Sequence, residues 1–208
     1  MKKYLSLLLG VMLVVFFMAT GAQADTISFD FTSDHMTGGA GVAPFGQVTL
    51  TENLGDVTFL VSLYDDSTFV RTGAGDFMDF KFNANDILVS DISGAGLTAA
   101  TGDFDGDGGG MFHYGVYFTG QETGGSNDRS GPIGFTVYNS TINDFIDESV
   151  VALNGTGQIF VADIMSGQTG NTGLVDVSSS PVPEPTTMAL FGAGLIGLAG
   201  FGRKRIKK

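Results

Sequence analysis

Hydrophobic and polar residues alternate with a period of two along several short stretches of the chain. Ile27, Phe29 and Phe31 fall on one side of a strand and Thr26, Ser28 and Asp30 on the other. Val57, Phe59, Val61 and Leu63 alternate in the same way with Thr58, Leu60 and Ser62. Successive side chains of a strand point to opposite faces, so these stretches predict half-buried β-strands. The same pattern predicts strands at Gly46–Thr51, Phe77–Phe82, Ile87–Ser90, Met111–Phe118, Ile133–Tyr138 and Gln158–Ile164, punctuated by Gly, Asn, Asp and Ser. About eight or nine short strands fit an all-β single domain, an antiparallel β-sandwich or jelly-roll-like fold. One stretch has a helical period instead. Thr141 is placed to cap a short helix with Asp144 three positions on, and Ile142, Phe145, Ile146 and Val150 share a face.

The two ends depart from this pattern. Lys2 and Lys3 precede an apolar run from Leu5 to Ala19, and Ala22-Gln23-Ala24 is a small-x-small triplet. That order predicts a secretory signal peptide over residues 1–24, recognised for cleavage through Ala22 and Ala24, with Asp25 as the mature N-terminus. At the other end Pro181, Pro183 and Pro185 interrupt the chain, a glycine-rich apolar stretch runs from Thr186 to Gly202, and Arg203, Lys204, Arg205, Lys207 and Lys208 close it. As a helix the apolar stretch is about 25 Å long, close to the hydrocarbon thickness of a bilayer. The basic cluster keeps the C-terminus in the cytoplasm and everything upstream outside. Gly192, Ala193, Gly194, Gly197 and Gly200 give the helix a small-residue surface suited to close packing against another membrane helix. The expected organisation is a signal peptide at 1–24, an exported β domain at 25–180 and a transient inner-membrane segment at 181–208.

Val182-Pro183-Glu184-Pro185, then Ala189 to Leu198, then Arg203-Lys204-Arg205 closely resemble, in order, spacing and terminal position, the PEP-CTERM sorting signal of Gram-negative bacteria. The resemblance implies handling by an exosortase, a membrane-embedded cysteine protease or transpeptidase, in bacteria that make exopolysaccharide. It makes Pro183, Glu184 and Pro185 the recognition residues. A looser likeness to other exported proteins of this kind, at Pro44–Thr51, Phe160–Ile164 and Gly170–Gly173, implies a surface domain and no reaction.

Composition sharpens the picture. Of the 208 residues, 22 are Asp or Glu, 10 are Lys or Arg, 18 are Phe, and none is Cys or Trp. Without Cys there is no disulfide framework, thiolate metal site or cysteine nucleophile. All 22 acids lie between Asp25 and Pro185, against only Arg71, Lys81 and Arg129, which leaves that part a formal charge of −19. Such a charge repels nucleic acid and disfavours anionic polysaccharide or lipid unless divalent cations bridge the two. The phenylalanines supply a core without Trp or disulfides.

The sharpest candidate site is Asp103-Phe104-Asp105-Gly106-Asp107-Gly108, with carboxylates at alternate positions and Gly at the sixth, as in a loop that wraps oxygens around Ca²⁺. Its twelfth position is Tyr114 rather than Glu, so Asp103, Asp105 and Asp107 would need a further ligand from elsewhere. Asp65-Asp66 and Asp147-Glu148 read as exposed turn charges. Only His35 and His113 are available for proton transfer, with no HExxH or GxSxG motif, and His113 is expected on the outer side of its strand. No glycine-rich stretch is followed by Lys-Ser/Thr, which argues against a nucleotide loop. The expectation is therefore no enzyme, but an exported surface or matrix protein with a structural or adhesive role in an exopolysaccharide or biofilm setting. The alternatives are a calcium-dependent glycan-binding module and, with two of the many carboxylates as acid and base, a glycan-active hydrolase.

Overall fold

The computed structural model describes residues 24–106, 108, 110–151, 155 and 157–177. The signal segment through Gln23, the tail from Ser178 onward and Asp107 lie outside the described residues, and with them Ala22, Pro183, Glu184 and Pro185. Ala24 is exposed and directly precedes the first strand, which starts at the expected mature N-terminus, Asp25.

All strand pairs are antiparallel and form two sheets. The first runs in the order β1 (Asp25–Phe31), β3 (Gly46–Asn53), β4 (Asp56–Leu63), β11 (Ile133–Val137) and β7 (Ile92–Ser93). The second contains β10 (Gly124–Arg129), β5 (Thr68–Arg71), β12 (Phe160–Met165), β6 (Phe80–Phe82), β9 (Met111–Phe118) and β8 (Leu97–Asp105), with β13 (Thr172–Asp176) on the far side of β12 and β2 (Ser33–Asp34) beyond it. Alternation decides which side chains meet between the sheets. Phe29, Phe31, Val48, Leu50, Val57, Phe59 and Val61 come from one sheet, and Phe69, Phe80, Phe82, Val116, Phe160 and Ile164 from the other.

Phe59 is the hub of this core. It stacks on Phe135 across the β4–β11 ladder at 4.6 Å between ring centres, meets Phe145 edge-on at 4.8 Å, and reaches across the sheets to Phe82 at 5.4 Å and Phe160 at 5.9 Å. Phe145 arrives on the expected helical segment, which is divided into turns at Asn143–Ile146 and Glu148–Val151. Asp144 Oδ2 accepts from the Thr141 N–H at 2.8 Å and from its hydroxyl at 3.0 Å, fixing the entry to the first turn. Ile142, Phe145 and Val150 are buried beneath it.

Two of the expected strands differ. Ile87–Ser90 is not a strand: Asp91 Oδ2 takes the Leu88 N–H at 3.0 Å, and this local bond closes a tight turn in place of a ladder. Phe77–Asp79 likewise stands outside β6, because Met78 N–H bonds back to Gly75 O and turns the chain out of the sheet, leaving Phe77 exposed. Conversely, β5, β8, β10 and β13 form from stretches whose polar and glycine content hid the alternation.

The second sheet contains a seam that explains its buried charges. β5 and β6 pair with successive parts of β12, so residues 68–82 act as one long strand interrupted by an excursion at 72–78. β9 and β10 pair in turn with β6 and β5, and residues 119–123 interrupt that line at the same level. Where both neighbours leave the ladder, backbone groups lose their partners, and side chains must replace them. Asp163 Oδ2 accepts from the Thr72 N–H and hydroxyl, each at 2.7 Å, and Asp79 Oδ2 accepts from the Phe118 N–H at 2.9 Å. Gln121 Nε2 donates to Phe69 O at 3.3 Å and Asn127 O at 3.0 Å, and Arg71 donates to Phe77 O and Gln121 O while lying 3.8 Å from the centre of the Tyr117 ring. Asp79 and Asp163 have no exposed surface. The packing over Asp163 leaves no room for a side chain at Gly75, where a Cβ would come within 2.6 Å of Asp163 Oδ2.

Candidate functional site

The first half of the calcium-type segment, Asp103–Asp105, is placed within a strand. Asp103 and Asp105 belong to β8 and are exposed, and Asp103 Oδ1 lies 3.8 Å from His113 Nε2. The Asp105 main chain is tied on both sides, its N–H donating to Asp76 Oδ2 and its carbonyl accepting from Lys81 Nζ. Among the described residues no three His, Cys, Asp or Glu side chains converge as a metal site. Asp65, Asp66, Asp147 and Glu148 are exposed as expected, and His113 is exposed on the outer side of β9.

Behind this segment lies a covered polar row that the sequence did not announce. Lys81, Val161 and Asp176 sit side by side on β6, β12 and β13, on the face of the second sheet away from the main core. All three are buried, because Phe104 and Phe112 from the β8–β9 hairpin fold over Val161 and Leu174. His35 Nε2 and Asp176 Oδ2 share a hydrogen bond of 2.5 Å, and a Cβ at Gly108 would sit 3.4 Å from His35 Nδ1, so the loop packs against the imidazole. Asp79, Lys81 and Asn83 alternate with Phe80 and Phe82, a pattern that ordinarily marks a solvent face. Gly75, where a side chain would collide with Asp163, is the one residue of the 72–78 excursion whose type reflects this packing.

An open groove of about 1060 Å³ is lined by Pro44, Tyr64, Asp65, Asp66 and Gln168. Three loops build it, and Gln168 fastens them. Its Oε1 accepts from the Val42 N–H at 2.8 Å, and its Nε2 donates to Val42 O at 2.9 Å and Asp65 Oδ2 at 2.8 Å. Partial burial and, secondarily, the Asp30 charge raise the Tyr64 phenol above its usual range, so it stays a neutral hydroxyl. A smaller hollow of about 420 Å³, reaching Ser130 and Pro132, adjoins the groove at Leu63 and Asp66. An aromatic ring beside carboxylates and an amide offers a stacking surface together with acceptors for hydroxyl groups.

The chain is a two-sheet β protein whose recognisable chemistry sits in its C-terminal tail. Residues 181–205 match the PEP-CTERM protein-sorting motif, and the protein is accordingly an exosortase-targeted exported protein with a membrane-anchored sorting tail. No curated protein and no solved structure matches the chain. Among the described residues no helix is long and apolar enough to cross a membrane, and the apolar stretch 186–202 lies outside them.

Proposed function

We propose that the protein is a non-enzymatic surface or extracellular-matrix component. Exosortase processing detaches it from a transient hold in the inner membrane, and its β-sandwich body then acts structurally or adhesively in an exopolysaccharide or biofilm setting. The observation that carries this reading is the sorting motif at 181–205 attached to a body, residues 25–180, of formal charge −18, from 3 basic and 21 acidic residues. A body so charged stays soluble and meets anionic polymer only through bridging cations, Ca²⁺ among them. Replacing both Pro183 and Pro185 by Ala is expected to leave unprocessed precursor in the membrane fraction while the wild-type protein is released. Normal release of the double variant would refute the role given to that tripeptide.

A second reading, a calcium-dependent glycan-binding module, is favoured by the groove beside Tyr64, with Asp103, Asp105 and Asp107 as the calcium-binding carboxylates. Titration of neutral oligosaccharides against wild type and Tyr64→Ala, with and without Ca²⁺, separates it from the first reading. Binding that Tyr64→Ala abolishes supports the module, and no binding to either protein leaves the bulk structural role.

A further inference from the structure

The groove and the two ends of the body's chain lie at opposite ends of the sandwich. Gln168 ties the loop between β12 and β13 to Val42 and Asp65, the Gly167 N–H donates to Ser67 Oγ, and the Tyr64 N–H donates to Phe45 O, so the loops near 42, 65 and 168 share one end. β1 finishes at that end, where Phe31 faces Gly46, so its first residue, Asp25, lies at the other, level with Glu52. β13 starts from the groove loop and runs away from it, so Val177, whose N–H donates to Phe160 O at the start of β12, also leaves toward the far end.

That far end carries apolar residues that the core does not use. Leu54 and Gly55 form the two-residue turn between β3 and β4, with φ of 56° and 85°. Such a turn favours Asn-Gly, because a left-handed conformation strains a bulky apolar residue. Leu54 stands there nonetheless, and at 92% it is the most exposed large apolar side chain among the described residues. Exposed Tyr138 lies beside the turn, since the Asn139 and Ser140 N–H groups donate to Asp56 Oδ1 and Gly55 O. The Tyr138 N–H donates to Asp91 O, which sets the tight turn bearing exposed Leu88 and Val89 next in line, just before β7. The ends of three neighbouring strands, β4, β11 and β7, therefore present Leu54, Tyr138, Leu88 and Val89 together.

We propose that this end is the membrane-contact face of the anchored precursor, with Leu54 and its neighbours seated among the lipid headgroups and the groove held outward. The tail decides the occupant. Eight residues, 178–185, separate Val177 from the apolar stretch that starts at Thr186. Their full reach is about 28 Å. Laying the groove on the same bilayer would take the linker back along β13, about 17 Å from Val177 to Thr172, and past the loop before it. With the far end down, the linker needs no stretch. A tether this short holds the face at a high effective concentration, so a weak contact suffices. An aliphatic tip beside a tyrosine suits the interfacial layer of a bilayer. Charge limits the choice of lipid. Glu52, Asp56, Asp91 and Asp144 stand around the face, each accepting a backbone N–H, so the contact is with a zwitterionic surface and anionic lipid opposes it. The inference goes beyond the matrix reading and rests on the tail's hold in the membrane.

The chain contains no Trp, so a single introduced Trp reports its own position. The test is the full-length precursor reconstituted in phosphatidylcholine vesicles whose acyl chains carry bromine quenchers near the headgroups, with the reporter at Leu54→Trp or, at the groove end, at Val42→Trp. Quenching is expected to be severalfold stronger in Leu54→Trp. Leu54→Asn supplies the residue that the turn favours, so its melting temperature should be unchanged or raised, while it lowers the quenching of a Leu88→Trp reporter about twofold or more. A leucine that served only the fold would lower the melting temperature and leave the quenching alone. Equal quenching of Leu54→Trp and Val42→Trp, undiminished quenching of Leu88→Trp in the Leu54→Asn background, or a lowered melting temperature of Leu54→Asn overturns the proposal. An unquenched Leu54→Trp in vesicles that hold no other protein overturns it in favour of a protein partner at this face. Flotation of the vesicles reads the tail's hold separately. A chain left behind fails that hold and the inference with it, whereas a chain that floats with Leu54→Trp unquenched fails the inference alone.

Discussion

Raising the pH from about 4 to 8 should destabilise the folded body by about 4 kcal/mol through Asp79 alone, and Asp79→Asn should remove most of that slope. Burial raises the Asp79 carboxyl from 3.8 to about 7, against the lowering effect of the Phe118 N–H bond and the Arg71 guanidinium, with the neighbouring Asp163 adding to the rise. Geometry gives the same direction. Among the described residues Asp79 Oδ1 and Gln121 Oε1 are both buried acceptors that receive no hydrogen bond, and a proton on Asp79 turns one of them into a donor. Because the folded pKa lies above the unfolded one, the stabilisation is complete below about pH 4 and is lost as the pH rises through about 7. Arg71 on β5 and Asp163 on β12 are the charged groups that act on it, and neither cancels the desolvation. Asn mimics the protonated acid, so the variant should show a nearly flat profile in urea unfolding followed across this pH range. A wild-type slope retained in Asp79→Asn would place the titration elsewhere. The loosening should begin at β10, which Gln121 Nε2 ties to the sheet through Asn127 O.

Phe59→Ala should cost about 4 kcal/mol, enough to unfold a marginal domain at room temperature. No part of Phe59 is exposed, and its ring touches Phe80, Phe82, Phe135, Phe145 and Phe160, so truncation opens a cavity bordered by both sheets and the helical turn at once. Rigid rings on every side limit collapse into that space. Phe77→Ala is the natural control, since Phe77 is exposed in the 72–78 excursion, and its effect should stay within about 0.5 kcal/mol. Thermal melts of the two variants side by side check this, and comparable losses would contradict the assignment of Phe59 as hub.

What the sequence made legible follows from how local each signal is. β1, β4, β9 and β11 stand out because every second residue is apolar and large, and the sorting tail stands out because its three parts are contiguous. β8 and β10 were hidden, since Leu97-Thr98-Ala99-Ala100-Thr101-Gly102 and Gly124-Gly125-Ser126-Asn127-Asp128-Arg129 have too little apolar contrast for alternation to register. Asp79 and Lys81 looked solvent-facing beside Phe80 and Phe82, and only the hairpin and the excursion that cover them make them interior. The seam depends on two interruptions, at 72–78 and 119–123, falling at one level of a sheet, and the groove on loops near 42, 65 and 168. Neither coincidence is encoded in a local period. Asp103 and Asp105, whose alternation suggested calcium ligands, lie within a strand, and the third residue of that set, Asp107, is outside the described residues.

Intact-mass analysis of the protein recovered outside the cytoplasm tests the central claim most directly. A species beginning at Asp25 and lacking the apolar and basic residues after Pro185 is the predicted result. A soluble polypeptide running unbroken from Met1 to Lys208 would contradict it.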